Sequence, residues 1–154
     1  MFPKIEAELD KLNETGGQTE DFKPIGKTFL FDYKTGQHIL TDGKLKECTT
    51  NEAISQWIEK VLRTEINKYG IYTIDESDGF GISVYEYVGK RKLHMGYVAS
   101  EFKREITEQL LKHRHIESIE DYTAEQINRS LHVTFTAVLI TGEKLNKEAS
   151  IIGL

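Results

Sequence analysis

The sequence predicts a single-domain α+β fold in which two main amphipathic helices pack on a mostly antiparallel sheet, with a short helix at the N-terminus. Three observations predict it: a capped apolar stripe that begins near residue 49, a second stripe over about 98–112, and alternation of apolar and polar residues over 131–139. A chain of 154 residues is long enough to bury roughly two thirds of its unfolded surface around one core.

Residues 1–24 are expected to form a separate segment ahead of the main domain, 25–154. Four apolar residues follow the edge of a short helix: Phe2, Ile5, Leu9 and Leu12. They lie among six acidic residues and three lysines, and residues 15–18 are typical of a break. Because so short a helix is marginal alone, we expect the four to dock, either on the chain's own domain or along a partner helix.

Two tight turns predict short strands ahead of the first long helix. Apolar residues 29–33 and 39–40 flank a turn in which Gly36 is free to take a positive φ, the pattern of a β-hairpin. Asp42 and Gly43 form a second turn signal, and residues 44–47 then add a third short strand.

The first long helix has a firm start, because Thr49 and Glu52 stand in capping-box spacing. Its apolar residues share one stripe: Ile54, Trp57, Ile58, Val61 and Leu62. The stripe is expected in the core. Contacts with other proteins are therefore assigned to the polar residues at the helix end, Arg63, Thr64 and Glu65.

The stretch that follows is less regular. Gly70 permits a turn into a short strand at 71–74, and the glycines and acids of 75–81 indicate a loop. The acids of this loop lack the spacing of a calcium-binding loop, so no metal site is expected there. Residues 82–88 alternate as a strand would, although Tyr85 and Tyr87 fit a short helix equally well.

The second amphipathic helix is predicted over about 98–112, with Ser100 as its cap. On its polar face Arg104 and Glu108 attract each other at i, i+4 spacing, whereas Glu101 and Glu105 repel each other at the same spacing. This pattern favours a face used for contact, formed by Glu101, Arg104 and Glu108.

The C-terminal part is rich in strands. Ile116 and Ile119 lead into residues 121–124, residues 128–130 turn the chain, and residues 131–139 alternate as the clearest strand of the sequence. One more edge strand is expected at 148–152.

Composition excludes some classes of partner. Twenty basic against twenty-five acidic residues give a net charge of −5, which argues against nucleic-acid binding, and the basic run Lys90-Arg91-Lys92 is interpreted as a solvated turn. No stretch approaches the roughly 18 apolar residues of a membrane span, and no signal peptide is evident. The single Cys48 cannot form an intramolecular disulfide. We expect a soluble protein made in a cytoplasm.

Motifs of known chemistry are not found in the sequence. It has no phosphate-binding glycine loop, no zinc-type Cys/His spacing and no nucleophile elbow. His113 and His115 lack a third ligand at suitable spacing, and Cys48 has no histidine near it in sequence. We therefore expect no cofactor, no metal and no catalytic residue.

An ordered set of residues runs across both helices. It comprises 26–32 with the Thr-Gly hairpin after it, Glu52 to Ile54, Gln56-Trp57, Leu62, Thr64-Glu65, 69–72, and then Glu101, Arg104, Ile106 to Glu108, Leu110 and 116–119. Over about 26–140 this order resembles the XkdS-like baseplate proteins of contractile phage tails and PBSX-like prophages. The resemblance implies a baseplate wedge and sheath-initiator type of domain at 25–154, which starts sheath polymerisation by offering strand edges to the first sheath ring.

The resemblance also implies partners and a place. The partners are other wedge proteins and the tail sheath subunit, with multiple copies in the assembled baseplate and no nucleic acid. The place is the tail baseplate, in a particle made and assembled in the bacterial host cytoplasm.

The implied wedge contact lies just after the first long helix, where such proteins carry a Glu-Arg pair. Glu65 matches the acid, but Ile66 stands where arginine is usual, which leaves Arg63 as the candidate guanidinium. We place the contact on two sets of residues: Arg63, Thr64, Glu65, Tyr69 and Tyr72, and Glu101, Arg104 and Glu108.

The alternative function is a peptidoglycan-degrading, lysozyme-like tail enzyme, because relatives have been labelled lysozymes. Such an enzyme needs an acid with a raised pKa and a partner carboxylate. Nothing in the sequence selects such a pair among its 25 acidic residues.

Overall fold

A computed structural model of the protein describes residues 25–72, 79–90 and 93–152. The predicted N-terminal helix, with Phe2, Ile5, Leu9 and Leu12, lies outside the described residues, as does most of the acidic loop at 75–81.

Two small hairpins open the described part of the chain. Strands β1 (Phe31–Asp32) and β2 (Gln37–His38) form the first, and β3 (Leu40–Thr41) and β4 (Lys44–Leu45) form the second. Both predicted turns are confirmed. Gly36 has a φ of 70°, and Asp42 and Gly43 both have positive φ, as a two-residue hairpin loop requires.

Helix α1 (Thr50–Arg63) begins as predicted. The Thr49 hydroxyl accepts from the Glu52 amide at 3.3 Å, and the Glu52 carboxylate accepts from the Thr49 amide at 2.8 Å. Of the stripe, Ile54, Ile58, Val61 and Leu62 are buried, and Trp57 packs partly buried against them.

Helix α2 (Met95–Leu110) starts three residues before the predicted start at 98, so the expected cap at Ser100 is wrong. His94 is the cap, and its Nδ1 accepts from the Gly96 amide at 3.1 Å. The Ser100 hydroxyl instead donates to the Gly96 carbonyl from within the helix, at 2.9 Å. The start was misplaced because histidine is not among the favoured capping residues, and glycine is a poor helix former.

Short 3-10 turns at Gly70–Tyr72 and Val84–Tyr87 replace two of the predicted strands. The strand at 71–74 is wrong for the residues of it that are described, 71–72. The strand alternative for 82–88 is also wrong beyond a single bridge at Ile82, and the short-helix alternative is confirmed. The alternation of residues 82–88 suggested a strand, but Val84 is buried on a 3-10 turn rather than on a strand.

The main sheet is antiparallel, in the order β5-β6-β7, formed by β5 (Ile116–Ile127), β6 (Ser130–Leu139) and β7 (Lys144–Ile152). The predicted strand at 131–139 and the turn before it are confirmed. The segment from Ile116 that precedes this turn is one continuous strand, β5, whose register shifts at Ile116/Ser118 and Glu120/Thr123 break the alternation that would have indicated its length. The edge strand begins at Lys144 rather than at residue 148.

The core lies between the two helices and one face of this sheet. Alternate β6 residues point into it: Leu131, Val133, Phe135, Ala137 and Leu139. They meet the α1 stripe and the buried α2 residues, among which Phe102 and Ile106 are fully buried. The predicted α+β arrangement of two helices on an antiparallel sheet is thereby confirmed.

Candidate assembly surface

The C-terminal end of α1 is fixed by Thr64. Its amide donates to the Val61 carbonyl at 3.2 Å, and its hydroxyl donates to the Lys60 carbonyl at 2.6 Å. These bonds satisfy carbonyls that a helix end otherwise leaves unpaired. Thr64 is only 7% exposed in the isolated chain, so its side chain supports the surface rather than forming it.

Residues 64–66 are bound to a second segment, 81–82, through the backbone. The Ile82 amide donates to the Thr64 carbonyl at 2.9 Å, and the Ile66 amide donates to the Ile82 carbonyl at 3.0 Å. Gly81 permits this approach: its φ is 114°, and a Cβ there would lie 2.4 Å from the Thr64 oxygen. The chain after α1 is therefore held against the loop that leads to α2.

Glu65 and Arg63 have different partners. The Glu65 carboxylate accepts from Lys68 Nζ at 2.7 Å, whereas Arg63 Nε lies 3.3 Å from the Glu59 carboxylate. The Arg63 guanidinium also lies 5.4 Å from the centre of the Tyr33 ring. In this structure Arg63 thus pairs with Glu59, and lysine is the cation at Glu65.

Arg104 is the centre of the ion pairs on α2. Its Nη2 lies 2.9 Å from the Glu101 carboxylate, and its Nη1 lies 2.9 and 2.8 Å from the two oxygens of Glu108. Hydrogen bonds to Glu101 and then to Glu108 raise the pKa of Arg104. The side chain is half exposed, so this charged cluster is presented to solvent.

A cavity of about 530 Å³ lies between the segment that follows α1 and helix α2. Ile66, Asn67 and Gly81 line it on the α1 side, and Arg104 and Glu108 line it on the α2 side. We call the two groups of ion pairs, Glu65 with Lys68 and Arg104 with Glu101 and Glu108, the ion-pair surface; of these residues Arg104 and Glu108 line the cavity.

Hydrogen bonds from α2, and from Lys112 just after it, hold the wall formed by residues 79–83 in place. Glu105 accepts from the Ser83 amide at 2.9 Å and from the Ser83 hydroxyl. Gln109 and Lys112 both donate to the Gly79 carbonyl, at 3.0 and 3.3 Å. The position of α2 relative to the end of α1 is therefore set by residues 79–83.

The other predicted contact residues after α1 do not line this cavity. Tyr69 is 51% exposed, and Tyr72 ends the 3-10 turn after it. Arg63 contacts Glu59 and Tyr33. The structure therefore places Arg104 and Glu108 at the cavity beside Ile66, and neither Arg63 nor Glu65 is among the residues that line it. The roles of all these residues in contact with other proteins stay predictions.

Sequence reasoning missed Lys68, Ser83 and Glu105. The i, i+3 spacing of Glu65 and Lys68 was a usable signal. The bond between Ser83 and Glu105 joins residues 22 positions apart and has no local signal.

The sheet presents a polar face on the side away from the helices. Cross-strand pairs cover it: Glu120 with Lys144 at 2.9 Å, Thr136 with Asn146 at 3.0 Å, and His132 with Ser150 at 2.9 Å. Among the described residues β7 pairs only with β6, so its other side is a sheet edge.

Other candidate chemistry is accounted for by local contacts. Cys48 Sγ accepts from the Gln56 side chain at 2.7 Å, and burial raises the pKa of its thiol. His113 and His115 have their rings 5.4 Å apart, and in the described part of the chain no three potential metal ligands are grouped. None of the helices described here has the length and apolar content needed to span a lipid bilayer.

An α+β domain with an exposed cluster of ion pairs and an open sheet edge has the features of a structural protein that works by assembly. A family model for the contractile injection system sheath initiator matches residues 27–142 of the chain. The chain belongs to this family, whose members are structural, non-enzymatic proteins that initiate sheath assembly at the baseplate. None of the curated proteins matches the chain significantly.

The family assignment confirms the resemblance to phage-tail sheath initiators. It places the protein in the tail baseplate and implies contacts with sheath and baseplate components. The lysozyme-like alternative does not fit this family, and the prediction of a structural, non-enzymatic protein is confirmed.

Proposed function

We propose that the protein joins the baseplate wedge through the ion-pair surface and starts the sheath through the outer edge of β7, in multiple copies around the tail. Assembly takes place in the bacterial host cytoplasm. The observation that carries the proposal is the Arg104 cluster beside the cavity that Ile66 and Asn67 line.

The ion-pair surface suits a wedge contact because its charges are already arranged. Arg104 is held between two carboxylates, so a partner meets a fixed order of negative, positive and negative charge along α2. Arranged charges select the partner and its orientation more than they add affinity. The adjoining cavity gives a partner side chain a place to enter.

The β7 edge suits addition of a strand because it is regular. β7 pairs with β6 over nine residues without a register shift, and its residues alternate in burial. β5, at the opposite edge, has two register shifts, and its Tyr122 hydroxyl donates to the Ala99 carbonyl of α2. Bulges hinder the addition of a strand, so we assign the sheath contact to β7 rather than to β5.

Charge reversal at Arg104 tests the wedge contact. Arg104→Glu sets three acids side by side on an exposed helix face, and we expect incorporation into assembled baseplates to fall by about tenfold or more. The measurement is quantitative mass spectrometry of purified baseplates. Lys44→Glu makes the same charge change on the β3–β4 hairpin and should incorporate normally. Normal incorporation of a folded Arg104→Glu protein would remove Arg104 from the contact.

Proline substitution tests the β7 edge. Backbone amides of neighbouring residues point to opposite sides of a strand. One of the two variants Glu148→Pro and Ala149→Pro therefore removes a hydrogen bond to β6, and the other removes a donor from the open edge. We expect the variant that keeps its thermal transition to join baseplates but not to nucleate sheath. Sheath of normal yield on that variant would rule out the β7 edge.

A further inference from the structure

A basic cleft lies at the N-terminal end of α2. It has a volume of about 640 Å³ and is bounded by the turn at Val84–Tyr87, the start of α2 and the β5–β6 turn. Leu93, Met95 and Val98 supply apolar lining, and Lys90 and Arg129 supply cations. No carboxylate is among the described residues that line it.

The two cations of the cleft have no acidic partner within the described ranges. Ion pairs of the described residues involve other lysines and arginines. Lys90 lies 5.9 Å from the centre of the Tyr87 ring. In a chain of net charge −5, a cleft that combines apolar lining with two such cations fits an acidic, amphipathic segment.

The N-terminal segment of this chain has that chemistry. It carries six acidic residues and three lysines, and its four apolar residues, Phe2, Ile5, Leu9 and Leu12, share one helical stripe. At about 100° per residue, Glu6 and Glu8 fall on opposite flanks of the stripe, each about 80° from its middle. A helix over 2–12 would therefore present apolar residues with an acid on either side.

We propose that residues 2–12 dock as a helix in the basic cleft of the same molecule. The apolar stripe contacts Leu93 and Met95, and the flanking acids face Lys90 and Arg129. The proposal does not depend on the wedge or sheath contacts.

The linker is long enough for this placement. Residues 13–24 span up to about 40 Å when extended, and a domain of this size is roughly 35 Å across. Tethering also gives the segment an effective concentration on the order of millimolar, so a helix that is marginal alone needs only weak affinity.

Hydrogen exchange of the full chain, followed by mass spectrometry, tests the proposal. We expect the amides of 2–12 to be protected by about tenfold or more over an unstructured peptide, and Lys90→Glu with Arg129→Glu to remove that protection. Lys44→Glu with Lys46→Glu is the matched control, because it reverses two exposed charges away from the cleft. Circular dichroism confirms that each variant is folded.

Exchanging the charges between the segment and the cleft distinguishes direct docking of residues 2–12 from an indirect effect of the cleft substitutions. Glu6→Lys with Glu8→Lys, added to the two cleft reversals, should restore protection of 2–12. Absence of protection in the unaltered chain, protection that survives the cleft reversals, or no restoration would each overturn the proposal. Protection that increases with protein concentration between about 2 and 50 µM would show docking between molecules and would overturn docking within one chain.

Discussion

The imidazole of His113 lies against the indole of Trp57, with ring centroids 4.6 Å apart and ring planes inclined by 55°. Burial, followed by the nearby His115 and Arg114, lowers the pKa of His113 from 6.5 to about 4. The folded protein therefore holds this ring neutral at pH values where the unfolded chain binds a proton.

Stability should fall as the pH is lowered through this window. The unfolded state binds more protons between pH 6.5 and about 4, so the stabilisation is complete above pH 6.5 and is lost towards pH 4. Because the ring is only half buried, we expect a loss of about 1–2 kcal/mol after allowance for solvent screening. Urea unfolding at pH 7 and pH 4.5, followed by Trp57 fluorescence, measures it.

His113→Phe should reduce the difference between the two pH values, because it keeps an aromatic ring against Trp57 and removes the titrating group. His132→Gln, which changes a histidine on the opposite face of the sheet, should leave the difference in place. An unchanged difference in His113→Phe would assign the acid sensitivity to other groups.

Gly81→Ala should destabilise the protein by about 2–3 kcal/mol, because an L side chain is strained at this positive φ and its Cβ would lie 2.4 Å from the Thr64 oxygen. Gly142→Ala is the control: its φ is also positive, at 83°, but a Cβ there meets nothing within 4 Å. The control should cost only about 1 kcal/mol. Equal losses in thermal or urea unfolding would show that the contact with Thr64 is relaxed at little cost.

Thr49→Ala should cost about 1 kcal/mol, because it removes the hydroxyl that accepts from the Glu52 amide at the start of α1. Thr50→Ala, one residue later and inside the helix, should be close to neutral, since alanine is the better helix former. Urea unfolding of both variants measures the difference. A loss of the same size at both positions would mean that the capping box contributes little.

Glu65→Ala should leave the isolated fold largely intact and weaken assembly. The carboxylate pairs with exposed Lys68, so its loss should change the stability by less than about 1 kcal/mol. Thermal unfolding and the yield of assembled sheath are the two measurements. Lys68→Ala removes the same ion pair and separates its effect from that of the acid. A collapse of the thermal transition would make Glu65 an internal structural residue.

The sequence is most informative where local chemistry alone determines the structure. The capping box at Thr49, the α1 stripe and the alternation of β6 each depend on residues within one element, and each prediction is confirmed. Predictions failed where distant contacts decide the backbone. Ile82 forms a bridge to Glu65 rather than starting a strand, and the bulges of β5 conceal its length.

The ion pairs show the same contrast between local contacts, which the sequence indicates, and distant contacts, which it does not. Arg104 with Glu108 follows from i, i+4 spacing and is present. The cavity that joins this pair to the end of α1 depends on residues 79–83, whose contacts with Thr64 and Glu105 are remote in sequence. The sequence therefore indicated the Arg104 cluster but not its position beside the segment that follows α1.

The attachment of residues 79–83 also determines how the domain would carry mechanical load. Tension applied to the exposed face of α2 would pass to the end of α1 through bonds at Gly79, Ile82 and Ser83. If these hydrogen bonds are loaded at the same time, they resist the force together. If they are loaded one after another, they break one at a time. In a particle that contracts, this short segment is the place where the two helices would either move as one body or separate.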